Sequence, residues 1–133
     1  MASIPETVDV LLFSDNAATR RAVIDAIGRR AAKDVPLIEW DETATAEAVY
    51  AKVKGGNYSL LVLDGEAAKV GGMAISRQLH VEVADCPATL VLTARPQDAW
   101  LATWCEADAY VPAPYDPREL QEAIAALLRG GDE

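Results

Sequence analysis

The stretch Ser59-Leu60-Leu61-Val62-Leu63 is almost continuously apolar, and Asp64 follows it directly. Runs of this kind are typical of strands that are buried on both faces of a parallel sheet. Other apolar runs of similar length lie before and after it. The sequence therefore predicts five strands, at Val8–Phe13, Pro36–Trp40, Ser59–Leu63, Ala88–Leu92 and Ala109–Val111.

Amphipathic stretches with helical periodicity follow these runs. Asn16 and Asp116 stand where they can cap the first and the last stretch, and Gly55-Gly56 stands where the second should end. The predicted helices cover about 17–32, 43–53, 73–80, a segment from near Pro96 to before Glu106, and 117–129. Five βα units with right-handed crossovers predict an α/β fold with a doubly wound, five-stranded parallel sheet.

Length and composition narrow the classes of protein. The chain has 133 residues, enough for a single domain with its core at about residues 8–128. Its 21 acidic and 12 basic residues give a net charge of −9, which disfavours nucleic-acid binding. Because no apolar run approaches the roughly 20 residues of a membrane span, we expect a cytoplasmic protein without membrane contact. Cys86 and Cys105 are expected to be free and structural, and His80 to lie at a helix end rather than in a catalytic site.

Polar side chains that directly follow the strands form the predicted site. In doubly wound sheets, ligands bind at the carboxyl ends of the strands. Asp15 follows the first strand and Asp64 the third, and these strands are neighbours in the predicted fold. Carboxylate oxygens suit Mg²⁺, which keeps several waters. Thr93, at the end of the fourth strand, could donate its hydroxyl proton to a phosphoryl oxygen.

Several segments, in this order and spacing, resemble the receiver domains of two-component response regulators. The resemblance extends from about Val8 to Leu128 and implies the flavodoxin-like strand order 2-1-3-4-5. Gly72 fits the glycine that opens the third helix in that family. The other matching segments are Leu11-Leu12-Phe13-Ser14-Asp15-Asn16, Leu61-Val62-Leu63-Asp64, Thr93-Ala94 and Ala107-Asp108-Ala109-Tyr110-Val111-Pro112-Ala113-Pro114-Tyr115.

The resemblance implies a role for each site residue. A histidine kinase would transfer a phosphoryl group to Asp64, with Mg²⁺ held by Asp15, Asp64 and the backbone carbonyl of Glu66. Thr93 would then move toward the phosphoryl group and Tyr110 would turn inward. These movements would remodel the face that partner proteins bind, formed by the fourth helix, the fifth strand and the fifth helix. Neutralising the charge of the transferred group is the physical task of such a site.

The sequence departs from the family pattern at three places. Ser14 stands where the first of two adjacent acids is usual, so Mg²⁺ affinity should be weak or lost. Ala113 replaces the lysine whose charge would neutralise phosphoryl oxygens. Ala68 replaces a proline in the loop after the third strand. Lys69 or Arg95 could replace the missing cation, although long exposed side chains are usually only solvated.

Four aromatic residues predict a partner surface. Trp100 and Trp104 are four residues apart on a predicted helix and share a face. Tyr110 and Tyr115 lie on or beside the same predicted surface, and aromatic side chains commonly anchor protein interfaces. The alternative is that Trp100 covers the sheet and only Trp104 is partly exposed. The surface would permit a weak homodimer, and a monomer is equally compatible.

Three hypotheses for function remain at this point. The first is an atypical, stand-alone response regulator, not an enzyme, that acts by protein–protein interaction and in which Asp64 phosphorylation is weakened or absent. Because the chain ends just after the last helix, we expect no output domain. The second is a phospho-accepting receiver or phosphorelay carrier that uses Mg²⁺ and a partner histidine kinase. The third, an enzyme or nucleotide binder on the same topology, is disfavoured because no glycine-rich phosphate loop is present.

Overall fold

The computed structural model describes residues 7–65, 71–93, 100, 104–113 and 115–129. Five parallel strands form one sheet in the order β2-β1-β3-β4-β5, which confirms the predicted α/β fold. The order reverses between β1 and β3, so the carboxyl ends of these two strands adjoin. The strands are β1 Thr7–Phe13, β2 Leu37–Thr43, β3 Leu60–Asp64, β4 Ala88–Thr93 and β5 Ala109–Pro112.

Helices cover both faces of the sheet. The described helices are α1 Ala17–Ile27, α2 Ala46–Gly55, α3 Gly72–Glu82 and α4 Pro117–Leu128. One apolar cluster joins α1 and α4 to one face of the sheet, and a second joins α2 and α3 to the other. Alternate residues of β3 belong to different clusters, Val62 to the first and Leu63 to the second. The central strand is therefore buried on both faces, as its apolar sequence predicts.

The first helix ends earlier than its periodicity predicts. It stops at Ile27 rather than near Ala32, because Gly28 adopts a positive φ of 70°. The Gly28 amide still donates to the carbonyl of Ile24, at 2.6 Å, and its carbonyl accepts from the indole Nε1 of Trp40, at 2.8 Å. A side chain from β2 thus completes the end of α1. The prediction to residue 32 was wrong because residues beyond Gly28 leave the helical path.

The second strand is longer than predicted and delays the second helix. β1 pairs with β2 along its whole length, from Thr7 with Leu37 to Phe13 with Thr43. Thr43 was predicted to begin a helix, but it ends the strand instead. The helix begins after Thr45, whose hydroxyl accepts from the amide of Ala48, at 3.2 Å.

Predictions about two helix ends are confirmed. The Asp116 carboxylate caps α4 by accepting from the Arg118 amide, at 3.0 Å. His80 lies in the last turn of α3, where its Nδ1 is 2.8 Å from the carbonyl oxygen of Ser76. Among the described residues, Cys86 and Cys105 form no disulfide. No helix in the part of the chain that the structure describes has the length and apolar character needed to cross a membrane.

The fourth predicted helix falls largely outside the described residues. Trp100 and Trp104 within it are helical. Glu106 adopts a positive φ of 63° just before β5.

Candidate functional site

A buried hydrogen bond joins the ends of β1 and β3. Phe13 pairs with Leu63 in the sheet, so the next residues, Ser14 and Asp64, lie side by side. The Ser14 hydroxyl donates to Oδ2 of Asp64, at 2.7 Å. Ser14 is fully buried and Asp64 is 5% exposed. The carboxylate predicted to accept a phosphoryl group therefore has a neutral hydroxyl as its neighbour at the position where the family pattern has an acid.

Each polar group of Ser14 has a hydrogen-bond partner. Its amide donates to the carbonyl of Thr43 at the end of β2, at 3.1 Å. Its carbonyl accepts from Nη1 of Arg20 on α1, at 2.6 Å. Its hydroxyl accepts from the amide of Asn16, at 3.0 Å, while donating to Asp64. Because four bonds from different directions meet at this residue, the orientation of its hydroxyl is well determined.

The two predicted metal-binding carboxylates differ in their surroundings. Asp15 is exposed on the loop after β1, whereas Asp64 is buried at the end of β3. Asn16, next in the chain, caps α1 by accepting from the amide of Ala18, at 2.8 Å. Among the described residues, no group of three or more histidine, cysteine, aspartate or glutamate residues could hold a metal. Two carboxylates with water are nevertheless ligands that suit Mg²⁺, so the chemistry of these residues fits this ion.

Thr93 and Ala113 lie together at the same edge of the sheet. Thr93 is fully buried at the end of β4, and its carbonyl accepts from the amide of Ala113, at 2.8 Å. Ala113 follows β5 directly, which places it where a lysine side chain could approach the site. Alanine supplies no charge there. Glu66, Ala68, Lys69 and Arg95, which the sequence also marked for this site, lie outside the described residues.

Two glycines allow α3 and β4 to approach the end of β3 closely. A Cβ at Gly72 would lie 2.8 Å from the backbone carbon and oxygen of Asp64 and from the backbone carbon of Leu63. A Cβ at Gly65 would lie 2.7 Å from the carbonyl oxygen of Leu92, to which the Gly65 amide donates at 2.8 Å. Real Cβ atoms essentially never come so close. The backbone that carries Asp64 is therefore held between two elements, and Gly72 opens α3 as predicted.

The aromatic residues occupy different surroundings. Trp104 is 47% exposed, and the guanidinium of Arg77 on α3 lies 4.8 Å from its ring centroid. Arg77 also donates to the Trp104 carbonyl, at 2.9 Å. Trp100 is exposed. Tyr115 packs against the core cluster of α1 and α4. Both of these Trp104 contacts are with Arg77 of α3.

Tyr110 lines a depression between β5 and α4. The tyrosine is 41% exposed. The depression has a volume of about 510 Å³, and α4 contributes two glutamates to its wall. Its lining residues are Tyr110, Val111, Pro112, Glu119, Glu122 and Ala123.

Curated relatives decide the family. The uncharacterized response regulatory protein Rv3143 of Mycobacterium tuberculosis strain H37Rv is 46% identical over 120 residues, which cover 90% of each chain. A protein of the same description, MT3230 of strain CDC 1551, matches equally well. This chain belongs to the response-regulator family. The transcriptional regulatory protein ResD of Bacillus subtilis is 32% identical over 91 residues, 37% of its own length. No protein-family model matches the chain.

Solved structures confirm the receiver fold. TrrA of Thermotoga maritima, solved in complex with Mg²⁺ and BeF, is 25% identical, with a TM-score of 0.73 over 91% of this chain and 99% of that one. The receiver domain of an HD domain-containing protein from Pseudomonas fluorescens is 16% identical and has a TM-score of 0.79 over 98% and 93% of the two chains. The chain is thus a receiver domain of two-component signalling, a class that works through histidine kinases and other proteins.

Within this receiver domain the structure brings together some of the predicted site residues. Asp64, Thr93 and the loop of Asp15 lie at the carboxyl edge of the sheet, while their proposed roles stay predictions. Arg20 and Glu42 were missed. Nε of Arg20 donates to Oε1 of Glu42, at 3.0 Å, while Nη1 holds Ser14. An arginine in the first turn of a helix resembles an ordinary solvated residue, and only the longer β2 places Glu42 beside it.

Proposed function

We propose that this receiver domain signals by binding another protein and that phosphorylation of Asp64 is weakened or absent. The observation that carries the proposal is the buried hydrogen bond from Ser14 to Asp64, at 2.7 Å. Oδ2 of Asp64 already accepts from a fixed neutral donor. Any cation or phosphoryl group that needs this oxygen must displace that donor or share the oxygen with it.

The residues at the expected metal site support the proposal that Mg²⁺ binds weakly. Asp15 and Asp64 would hold Mg²⁺, with the backbone carbonyl of Glu66 as the third ligand that the resemblance implies. Mg²⁺ would neutralise charge on a phosphoryl group. A serine hydroxyl brings no negative charge to the site and is a weaker ligand for a hard cation than a carboxylate. In this chain the hydroxyl is also engaged by Asn16 and Asp64, so it is poorly placed to serve as a ligand.

The absence of a lysine at position 113 supports the proposal that phosphoryl transfer to Asp64 is slow. A lysine at this place would be a point charge near the phosphoryl oxygens. Ala113 uses its backbone amide to pair with Thr93, and its side chain offers only a methyl group. Lys69 or Arg95 would have to supply the charge instead. With neither a second acid nor this lysine, the site has lost both residues that usually surround the acceptor.

The domain would pass its signal to a partner protein through contacts of surface side chains rather than through catalysis. We propose a non-enzymatic, cytoplasmic protein that binds neither nucleic acid nor membrane, as its net charge of −9 favours. Tyr110 and the two tryptophans, Trp100 and Trp104, are the exposed aromatic anchors among the described residues. A histidine kinase is a second candidate partner, and a monomer or weak homodimer would present the same surfaces.

Amide NMR with Mg²⁺ and then beryllofluoride, a stable mimic of aspartyl phosphate, tests this proposal. We expect no response at physiological Mg²⁺ and only small shifts at concentrations well above it. Asp64→Asn is the matched control, because it removes the acceptor charge and preserves the shape. Saturable shifts at Asp15, Asp64 and Thr93 that spread to Tyr110, and that vanish in this control, would contradict the proposal.

A restoring variant makes the same experiment sharper. Ser14→Asp combined with Ala113→Lys returns both residues that the family pattern expects. This double variant should respond to Mg²⁺ and beryllofluoride where the parent does not. If parent and double variant respond alike, the two departures do not limit the chemistry.

The second candidate is a phospho-accepting receiver or phosphorelay carrier. Asp64 is kept at the end of β3, with Thr93 buried at the end of the next strand, which favours this alternative. It requires that Asp64 take up a phosphoryl group from acetyl phosphate or a histidine kinase. In cells, Asp64→Asn would then abolish function. Under the leading proposal Asp64→Asn is nearly silent, and Trp104→Ala weakens partner binding.

A further inference from the structure

We infer that Arg20 is a positioning residue that, together with Glu42, keeps the Ser14 hydroxyl on Asp64 and so makes the site resist divalent cations. The inference rests on the proposed weak metal binding and names the residues that regulate it. It concerns Ser14 directly after β1, Arg20 in the first turn of α1 and Glu42 near the end of β2. The fourth group, Asp64, is the one they act on.

The contacts form a continuous chain. Glu42 accepts from Nε of Arg20, at 3.0 Å, and Nη1 of Arg20 donates to the Ser14 carbonyl, at 2.6 Å. The Ser14 hydroxyl then donates to Asp64, at 2.7 Å. The Arg20 side chain is only 18% exposed, although arginine is usually solvated, whereas that of Glu42 is 49% exposed. The planar guanidinium holds both partners at once, which a lysine could not reproduce.

The Arg20 bond fixes the direction of the Ser14 carbonyl. The amide of Ser14 is held by Thr43, so its carbonyl is the other backbone group that could turn. A charge-assisted hydrogen bond is stronger than a neutral one, which makes Arg20 the strongest restraint on that carbonyl. If the carbonyl rotates about the Cα–C bond, the backbone that follows turns with it and carries the Asn16 amide away from the Ser14 hydroxyl. The hydroxyl then loses one of the two hydrogen bonds that hold its orientation toward Asp64. Arg20 therefore acts on the acceptor through Ser14 rather than by direct contact.

Positioning and simple electrostatics predict opposite changes in Mg²⁺ affinity for Glu42→Gln. By Coulomb attraction alone, Arg20→Gln should tighten Mg²⁺ binding and Glu42→Gln should loosen it, because the second change removes a negative charge. By positioning, both changes free the Ser14 hydroxyl from Asp64, so both should tighten it. Arg21 is exposed and adjacent in sequence, so Arg21→Gln is the matched control for loss of one positive charge.

The first experiment needs no metal. The carboxyl carbon resonance of Asp64 and the amide of Asn16 report on the Ser14 hydroxyl, and Ser14→Ala defines their positions when it is absent. In Arg20→Gln and Glu42→Gln both signals should move toward the Ser14→Ala positions, and in Arg21→Gln they should stay. Thermal unfolding of each variant shows that the domain is folded. If the signals of Arg20→Gln stay with those of Arg21→Gln, the inference is overturned.

The second experiment measures Mg²⁺ affinity in a double-mutant cycle. Arg20→Gln should lower the dissociation constant about threefold or more and Glu42→Gln about twofold, while Arg21→Gln changes it little because exposed charges are screened. In the Ser14→Ala background Arg20→Gln should add little further, since the two act through one bond. Opposite signs for Arg20→Gln and Glu42→Gln, or full additivity with Ser14→Ala, would refute positioning.

The two experiments separate this inference from the proposed function. A strong beryllofluoride response in the parent would end the proposal of weakened phosphorylation, yet the metal-free resonances would still report whether Arg20 controls Ser14. If no variant binds Mg²⁺, the metal-free resonances alone decide. If the resonances are unchanged and no variant binds Mg²⁺, the proposed function is unaffected, but Arg20 has no part in it.

Discussion

Replacing Gly72 with alanine should destabilise the domain, although alanine is normally the better residue in a helix. Gly72 is the first residue of α3, and it lies against the backbone that carries Asp64. An alanine Cβ would be 2.8 Å from three backbone atoms of Leu63 and Asp64. None of these atoms can rotate away, because they belong to the central strand of the sheet. Either α3 or the end of β3 must move.

The size of the effect follows from this distance. Ordinary contact begins at 3.4 Å, so the elements must separate by about 0.6 Å. Overpacking of this kind typically costs about 1–3 kcal/mol, and the gain in helix propensity offsets at most about 1 kcal/mol. We expect a net loss of about 1–2 kcal/mol in the free energy of unfolding. For a domain of this length that corresponds to a fall in Tm of about 4–8 °C.

Thermal unfolding followed by circular dichroism provides the assay, and Gly55→Ala is the control. Gly55 ends α2, and a Cβ there would meet nothing within 4 Å. Gly55→Ala should therefore leave Tm unchanged or raise it slightly. The amide of Asp64 should shift in the Gly72 variant alone. Equal Tm values for the two variants, or a more stable Gly72→Ala protein, would refute the reasoning.

Three other changes test separate features. Burial and a hydrogen bond to Asp41 raise the pKa of Tyr58 to about 12. Stability should therefore fall between about pH 10 and 12, because the unfolded chain loses this proton first. In Tyr58→Phe that part of the fall, about 1 kcal/mol after allowance for solvent, should disappear from denaturation curves. Glu106→Asn should raise the free energy of unfolding by up to about 1 kcal/mol, because asparagine tolerates a positive φ; a loss in urea unfolding would count against strain there. Trp40→Phe should cost about 1–2 kcal/mol by leaving the Gly28 carbonyl without its indole donor, and unchanged amide exchange at the end of α1 would argue otherwise.

The sequence was sufficient to predict the sheet but less so to predict where β2 and α1 end. Apolar runs predicted the central strands well, because burial on both faces leaves little choice of residue. β2 was predicted too short because Asp41 and Glu42 are polar, and an edge strand tolerates polar residues wherever its partner continues the ladder. The end of α1 depends on a hydrogen bond from Trp40, which lies on a different element. Such contacts between elements cannot be read from local periodicity.

The site residues likewise divide into those that the sequence predicts and those that depend on contacts between elements. Asp64 and Thr93 could be predicted because they directly follow buried strands, and the edge of a parallel sheet gathers such residues. The direction of the Ser14 hydroxyl could not be predicted, since it depends on bonds to three other elements. Arg20 escaped notice for a related reason: its partners are a backbone carbonyl and the side chain of Glu42, which come near only after the sheet has formed.

The sheet order also bears on how another protein could recognise this domain. β2 and β5 are the two outer strands. β2 carries Glu39 and Asp41, and β5 has only four residues and includes Pro112, which lacks an amide proton. Charges, short length and proline all discourage a foreign strand from adding to an edge. We therefore expect this domain to be recognised through side chains, not through main-chain augmentation, and to resist joining with other copies into a continuous sheet.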